Sequence, residues 1–408
     1  MNILFLTIGR MNDINERTLY CDLLRCFRDN GHNVYTVSPH EKRTGLNTEF
    51  IEKNGVKMLY IKTGNITKTS NLFEKGIATI MLETKFIVGV KKYLNDVKFD
   101  LVIYPTPPIT LLETVKYVKK RDNAKTYLLL KDIFPQNAVD LGMIKKSGLS
   151  GLIYKYFRKK EKKLYLISDK IGCMSQANVD YILKHNKEID GSRVEVCPNA
   201  VEPIDRSVSI EQRISIRNKY GLPLNKMIFV YGGNLGKPQG INFLIECLKS
   251  QKNNNDIFFL IVGDGSEFKT IETYVKNEKQ KNLKLLNKLP KEDYDMMVGS
   301  CDVGMIFLDY RFTIPNFPSR LLSYMMANLP VLAATDPNTD VGQVIVDGGF
   351  GWWCLSNDVD AFSTLITSIS KDEIITMAKK SINYLNENYS VKEVYKKIID
   401  SVNVIQEE

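Results

Sequence analysis

Strand-like and helix-like segments alternate along the whole chain, and this alternation restricts the fold more than any other feature. In the first half the strand-like runs are residues 2–8, 32–38, 56–61, 100–105, 126–133, 170–175 and 194–198. In the second half they are 227–233, 257–265, 283–289, 302–308, 330–335 and 351–354. Helical patterns lie between most of them, such as "ERTLYCDLLRCFRDNG" (16–31), with Gly31 placed to end the helix. Strands that alternate with helices form βαβ units and parallel sheets. Thirteen runs are too many for one eight-stranded barrel. The polar stretch "NAVEPIDRSVSIEQR" (199–213) separates the two series and reads as a linker. The expected fold is α/β: two doubly wound, Rossmann-like domains facing a central cleft. They span residues 1–198 and 199–388, with a C-terminal helix in 389–408. A chain of 408 residues can bury two such cores. Parallel sheets bind ligands at the carboxyl ends of their strands, so the loops that leave those ends are the places to search.

Composition narrows the function classes. The net charge of +9 suits an anionic small ligand, an anionic membrane surface or nucleic acid. The seven cysteines are scattered and none forms a CxxC pair, as in a cytosolic protein with reduced thiols. His32, His40 and His185 lack ligand spacing, so no structural zinc site is expected. "MNILFLTIGRM" reads as a first buried strand, not a signal peptide. "GIATIMLETKFIVGV" (76–90) is too short and too polar to span a bilayer, and reads as a core helix.

Several loops could carry chemistry. In "YGGNLGKPQGINFLIECL" (231–248) an apolar strand runs into Gly232, Gly233, Asn234, Gly236 and Lys237, with a helix beginning near Gly240. Glycines expose backbone N–H groups and Lys237 adds a cation, which makes either a phosphate cradle or a tight turn with a surface lysine. The loop matches neither GxxxxGK[ST] nor GxGxxG. "VGDGSEF" (262–268) offers Gly263 and Gly265, with Asp264 or Ser266 as caps for the next helix. "LLLKDIFPQNAVDLG" (128–142) puts Lys131, Asp132 and Gln136 just past a buried strand; Gly9, Arg10 and Arg17 follow the first strand. The strings "DYD" (293–295) and "DVD" (358–360) each open a helical pattern and read as first-turn capping, so no metal is expected. The basic, aromatic "YKYFRKKEKKLY" (154–165) is a solvated helix face or a surface for anionic lipid or nucleic acid.

"FPSRLLSYMMANLPVLAA" (317–334) poses a sharper question. It reads as a helix with Pro318 near its first position and Ser319 behind, followed by a short buried strand. Arg320 then stands in a first turn, where the helix dipole disfavours cations. A surface position would tolerate it. A bound anion held by Arg320 would explain it.

Together "YGGNLGKPQG", "LIVGDGSE", "FPSRLLSYMMANLPVLA", "KDIFPQNAVDLG", "CMSQAN" (173–178) and "VCPNAVEP" (196–203) resemble family 4 of the retaining glycosyltransferases, which have the GT-B fold. "DIFPQ" with "PSRLLSY" resembles the L-fucosamine transferase subgroup of bacterial O-antigen and capsule enzymes. The resemblance implies a nucleotide-sugar donor, a UDP-sugar, in the C-terminal domain and a lipid-linked or oligosaccharide acceptor in the N-terminal one. The donor is a substrate, and no separate cofactor is implied. Lys237 and Arg320 would face the diphosphate as the catalytic cations, with Asp132 as the third catalytic candidate. Gly233, Asn234, Gly236, Gly263, Gly265, Ser319 and Ser323 would line the donor site. Gly9, Arg10, Arg17 and Gln136 are the acceptor-side candidates. The final helix, 391–406, would return to the first domain. Residence in the cytoplasm, peripheral on the inner face of the cell membrane, is implied, with no nucleic-acid partner.

This chain departs from the family pattern at four places. Pro315 and Ser323 stand where many members have two glutamates, the second holding the donor ribose. Asn234 stands where many have an arginine, and Asp132 where many have a histidine. Two other readings therefore stay open: a sugar-nucleotide 2-epimerase, and an inactive protein that binds sugar nucleotides.

Overall fold

The first apolar run, Asn2–Leu6 (β1), forms the middle of a sheet because both its neighbours are also apolar and pair with it in parallel. In the computed structural model, which describes residues 1–67 and 72–407, the chain divides into two units. One comprises Met1–Glu202 with Val391–Glu408, the other Pro203–Ser390.

Among the described residues the first unit holds eight strands. After β1 come Asn33–Glu41 (β2), Glu49–Lys53 (β3), Val56–Thr63 (β4), Leu101–Thr106 (β5), Lys125–Leu130 (β6), Lys170–Cys173 (β7) and Val194–Val196 (β8). Their order across the sheet is β3-β4-β2-β1-β5-β6-β7-β8, and only the β3–β4 pairing is antiparallel. The periodicity of the sequence does not mark β3. All five of its residues are exposed, so it has no buried face to produce a pattern. Its signal is the two-residue turn Asn54–Gly55, with φ of +52° and +76°, the Asn-Gly combination that closes a tight hairpin.

The second unit has six strands: Met227–Asn234 (β9), Ile257–Asp264 (β10), Leu283–Asn287 (β11), Val303–Phe307 (β12), Val331–Thr335 (β13) and Gly351–Leu355 (β14). All its pairings are parallel, in the order β11-β10-β9-β12-β13-β14. Numbered within the unit this is 3-2-1-4-5-6, the doubly wound order that reverses beside its first strand. The sheet is covered by apolar side chains such as Phe229, Phe259, Phe307 and Phe362, all buried.

The first unit extends through Glu202 rather than ending at residue 198. The Glu202 N–H donates to Asp22 at 3.0 Å, and its carboxylate pairs with Arg17 and with Arg25, the latter at 3.0 Å. The polar stretch that follows is not all linker. Ser209 and Gln212 form a capping box that starts the helix Ile210–Lys219, and Arg217 of that helix binds Asp302 at 2.7 Å. The chain re-enters the first unit as the helix Val391–Glu407, which buries Val391, Val394, Ile398 and Val402 in that unit's core. Each such burial contributes ~1.5–3 kcal/mol, and Tyr395 adds a 2.9 Å hydrogen bond with His32.

Two expectations about helices need correction. The apolar segment 76–90 lies in the helix Leu72–Tyr93, but only one face is core: Ala78, Leu82, Phe86 and Val90 are buried, while Ile77, Ile80, Met81 and Val88 are exposed. The helix after "FPS" begins at Arg320, not at Pro318. Ser319 is its first flanking residue, and the Leu321 N–H bonds back to the Pro318 carbonyl as a tight turn.

Candidate functional site

In a sheet ordered 3-2-1-4-5-6, the crevice opens where the order reverses, between the carboxyl ends of the first and fourth strands. Here these are β9 and β12. The β9 end carries Gly233 and Asn234, and the segment after β12 leads to Arg320. A pocket of about 380 Å³ opens beside β9. It is lined by Gly233, Asn234, Gly263, Asp264, Lys288, Lys291 and Tyr294, with Val262 and Leu289 as its apolar wall. Gly263 cannot be replaced without moving the backbone: a Cβ there would lie 1.8 Å from the Gly233 carbonyl oxygen. The ends of β9 and β10 thus come together at a distance only glycine permits.

Arg320 lies beside this pocket. Its guanidinium rests on the ring of Tyr231, 4.3 Å from the centroid, and Tyr324 and Tyr294 are its other charged-state neighbours. Burial raises the pKa of all three phenols, so they stay neutral. The Tyr324 hydroxyl is held by the Gly232 N–H and the Met305 carbonyl, each at 3.1 Å. Among the described residues no carboxylate pairs with Arg320, and its Nη1 is buried without a hydrogen-bond partner. A cation–π contact returns about 2 kcal/mol at a desolvated site, less than a buried guanidinium loses in hydration. Gly233, at φ +115°, brings its backbone toward the guanidinium: an added Cβ would lie 3.8 Å from Nη2.

The other sequence candidates in this unit fall into different environments. Lys237 is exposed and opens the short turn Lys237–Gln239, with no ion pair to any described residue. Asn234 braces its own loop, because its Nδ2 donates to Gln239 Oε1 at 3.0 Å, and Gly236 N donates to the same oxygen at 3.1 Å. Gly265 packs against the Leu235 carbonyl. Ser319 is exposed and makes no capping bond; Ser323 is half-buried on the helix Arg320–Met326. Neither Asp264 nor Ser266 caps the next helix, whose flanking residue is Glu267. Asp264 lines the pocket instead. In the "DYD" string Asp293 binds Lys219 at 2.8 Å and Asp295 binds Arg206 at 2.6 Å. In "DVD", Asp358 caps Ala361 N at 2.8 Å. Lys288, Lys291 and Tyr294 escaped the sequence reading because glycine and turn signals mark only the loops after β9 and β10.

In the first unit, Lys131 and Asp132 directly follow β6 and have different neighbours. Lys131 lies near Cys173 and Cys197, Asp132 near Tyr20. Burial pulls the Lys131 amine down to about 8 and pushes the Asp132 carboxyl up to about 6. Gly9 and Arg10 are exposed after β1, with Gly9 N bonded to Thr7 Oγ1. Arg17 is committed to Glu202. Gln136 opens the helix Gln136–Asp140 and donates to Asp140 at 2.6 Å. The structure therefore groups the glycine loop with Arg320, and pairs Arg17 with Glu202 while Arg10 is exposed.

Residues 212–388, within the second unit, match the family described as glycosyl transferases group 1. The chain is 26% identical over 325 residues to a probable glycosyltransferase, WbjE of Pseudomonas aeruginosa, covering 79% of this chain and 78% of that protein. It is 20% identical over 314 residues to a putative colanic acid biosynthesis glycosyl transferase, WcaI of Escherichia coli, covering 76% and 73%. The fold is that of Anabaena HepE, solved in complex with UDP: TM-score 0.69, 14% identity, 99% of this chain and 100% of that one. Two Rossmann-like units of this kind constitute the GT-B fold.

Proposed function

We propose that this chain is a retaining, metal-independent glycosyltransferase of family 4, acting in bacterial surface polysaccharide synthesis. It takes a sugar from a UDP-sugar bound by the second unit and passes it to a lipid-linked or oligosaccharide acceptor recognised by the first. The observation that carries this reading is Arg320: a half-buried side chain whose Nη1 is fully buried and unpartnered, beside the Gly233 backbone and a pocket of nucleoside size. The UDP complex of HepE and the polysaccharide context of WcaI support it.

The chemistry follows from charge. As the bond between the anomeric carbon and the phosphate oxygen breaks, negative charge grows on the diphosphate and positive charge on the sugar ring. Arg320 and Lys237 stabilise the leaving group electrostatically, without a metal. The acceptor hydroxyl attacks from the face that the diphosphate leaves, and a phosphate oxygen takes its proton, so no protein nucleophile is needed. Lys288 and Lys291, which line the pocket, add positive charge for the donor. Ser323 offers the donor ribose a neutral hydrogen bond. Asp132, ionised above a pKa of about 6, accepts a hydrogen bond from the acceptor.

Calorimetry with UDP, GDP, dTDP and their sugars tests the reading. UDP is expected to bind, with and without EDTA, and Arg320→Ala to bind at least tenfold more weakly. Failure of every nucleoside diphosphate to bind, or equal binding by Arg320→Ala, would overturn it. Turnover abolished by EDTA and restored by Mg²⁺ would overturn metal independence.

A further inference from the structure

The strand β3 leaves backbone groups open at the edge of its sheet. The turn Asn54–Gly55 closes the hairpin between Lys53 and Val56. Antiparallel pairs alternate, so Lys53, Ile51 and Glu49 hydrogen-bond to β4. Phe50 and Glu52 therefore turn their N–H and C=O groups the other way. β3 is the last strand of its sheet and all five of its residues are exposed, so among the described residues nothing pairs with that side. An open edge of this kind is a template for another strand.

The side chains say which strand fits. Charge commonly protects an edge by repelling a like strand. Here the order Glu49, Phe50, Ile51, Glu52, Lys53 does the reverse. When β3 is laid antiparallel on a second copy, about a two-fold axis at Ile51, Glu49 faces Lys53 of the second copy and Lys53 faces its Glu49. Ile51 meets Ile51 between these pairs, on the same face of the sheet. The Glu49 and Lys53 side chains are 50% and 45% exposed, so both are available. Their neighbours within the chain are His40, 3.8 Å from Glu49, and Asp13, 2.9 Å from Lys53. The same register serves the backbone. Phe50 N–H reaches the Glu52 carbonyl of the second copy, Glu52 N–H reaches its Phe50 carbonyl, and symmetry supplies the reverse bonds. A register slip in either direction that keeps the faces sets Phe50 against Phe50 or Glu52 against Glu52, and loses both ion pairs.

Apolar surface lies on the other face of this edge. Phe50 pairs with Leu59 and is 40% exposed. The helix Leu72–Tyr93 covers the same face: a Cβ added at Gly89 would lie 3.7 Å from Leu59 and 2.5 Å from Ile61. Glu83 of that helix accepts from Glu113 N at 3.0 Å, so it marks the side toward the helix Leu112–Asp122, which packs on β5 and β6. At about 100° per residue, Met81 and Val88 lie about 140–160° round the helix from Glu83. They face the opposite way, toward the β3 edge, and both are exposed. The two-fold axis brings Phe50, Met81 and Val88 of both copies to one side of a joined sheet.

We propose that this chain forms a two-fold symmetric dimer through β3, with the sheets of the two first units joined edge to edge. Symmetric pairing uses the open edge of each copy, so association stops at two. It holds whichever sugar is transferred.

Sedimentation velocity of the full chain over a micromolar range tests it. The wild type is expected to pass from monomer to dimer with concentration. Glu52→Pro removes an N–H that faces the open edge and none that bonds to β4, so the hairpin should persist and the dimer should weaken about tenfold or more. Glu49→Lys sets lysine against lysine, and Lys53→Glu sets glutamate against glutamate; each alone should weaken the dimer about tenfold. An equimolar mixture of these two variants restores opposite charge at both positions, and should associate within about threefold of the wild type. Ile375→Ser, in the second unit, is the control and should dimerise as the wild type does. Circular dichroism checks folding; should Glu52→Pro unfold, the mixing experiment decides by itself. A wild type that stays monomeric, growth beyond a dimer, or a dimer that Glu52→Pro or either charge variant leaves intact would each overturn the proposal. So would single charge variants that dissociate while their mixture fails to associate.

Discussion

Asp132→Asn should stabilise the first unit, and by an amount that depends on pH. The carboxyl has an ordinary pKa of 3.8, and burial pushes it to about 6 in the folded chain. The folded state therefore holds this proton more tightly than the unfolded state. Well below pH 3.8 the group is neutral in both states and costs nothing; the penalty builds as pH rises from 3.8 to about 6, and above that the folded state must carry the desolvated carboxylate. The rise from 3.8 to about 6 corresponds to a penalty of about 3 kcal/mol at about pH 8 and roughly half of that at about pH 5. Asparagine has no such titration, so the advantage of the variant should grow by ~1 kcal/mol between those pH values. Tryptophan fluorescence cannot read this, because Trp352 and Trp353 both lie in β14 of the second unit. Amide hydrogen exchange on peptides covering β5, β6 and β7 can, comparing variant and wild type at each pH. The fluorescence midpoint then serves as the internal control and should not move. A gain independent of pH, or larger at low pH, would refute the argument that burial sets this carboxyl. Transferase activity of the variant should fall even as its stability rises, as expected of a destabilised functional group.

Arg320→Ala should lower kcat/KM ~100-fold, the usual effect of losing one charged donor to a developing anion, whereas Ser323→Ala should cost less than ~10-fold, as a neutral hydrogen bond contributes ~1 kcal/mol; initial rates of nucleotide release decide, and the reverse ranking would move the phosphate site away from this helix. Gly263→Ala should abolish nucleotide binding and lower the fluorescence midpoint of the second unit, because its Cβ would strike the Gly233 carbonyl. Ile398→Ala should destabilise the first unit by ~2–5 kcal/mol through the core it shares with the C-terminal helix, seen as faster exchange in that unit and an unchanged tryptophan midpoint.

What the amino-acid sequence determined by itself was everything set over short distances along the chain. The βα alternation, the glycine loop after β9, and the turn around Arg320 are all local, because apolar periodicity and turn residues act over a few positions. Even β3 was locally encoded, in Asn54 and Gly55, although periodicity alone does not find it. Strand order was not legible: a parallel strand can enter a sheet on either side of its predecessor, and only packing selects 3-2-1-4-5-6. That order brings Tyr231, Tyr294, Tyr324 and Arg320 together from β9, a helix after β11 and a helix after β12. No spacing in the sequence encodes such a meeting. Lys288 and Lys291 join the pocket for the same reason. The helix Leu72–Tyr93 shows the converse. Its sequence is apolar almost all round, which says that one face can be buried but not which residues the sheet will cover. Tertiary structure alone decided that Leu82, Phe86 and Val90 face inward and that Ile77, Ile80, Met81 and Val88 face out, because burial is a property of neighbours, and neighbours are set by how elements pack.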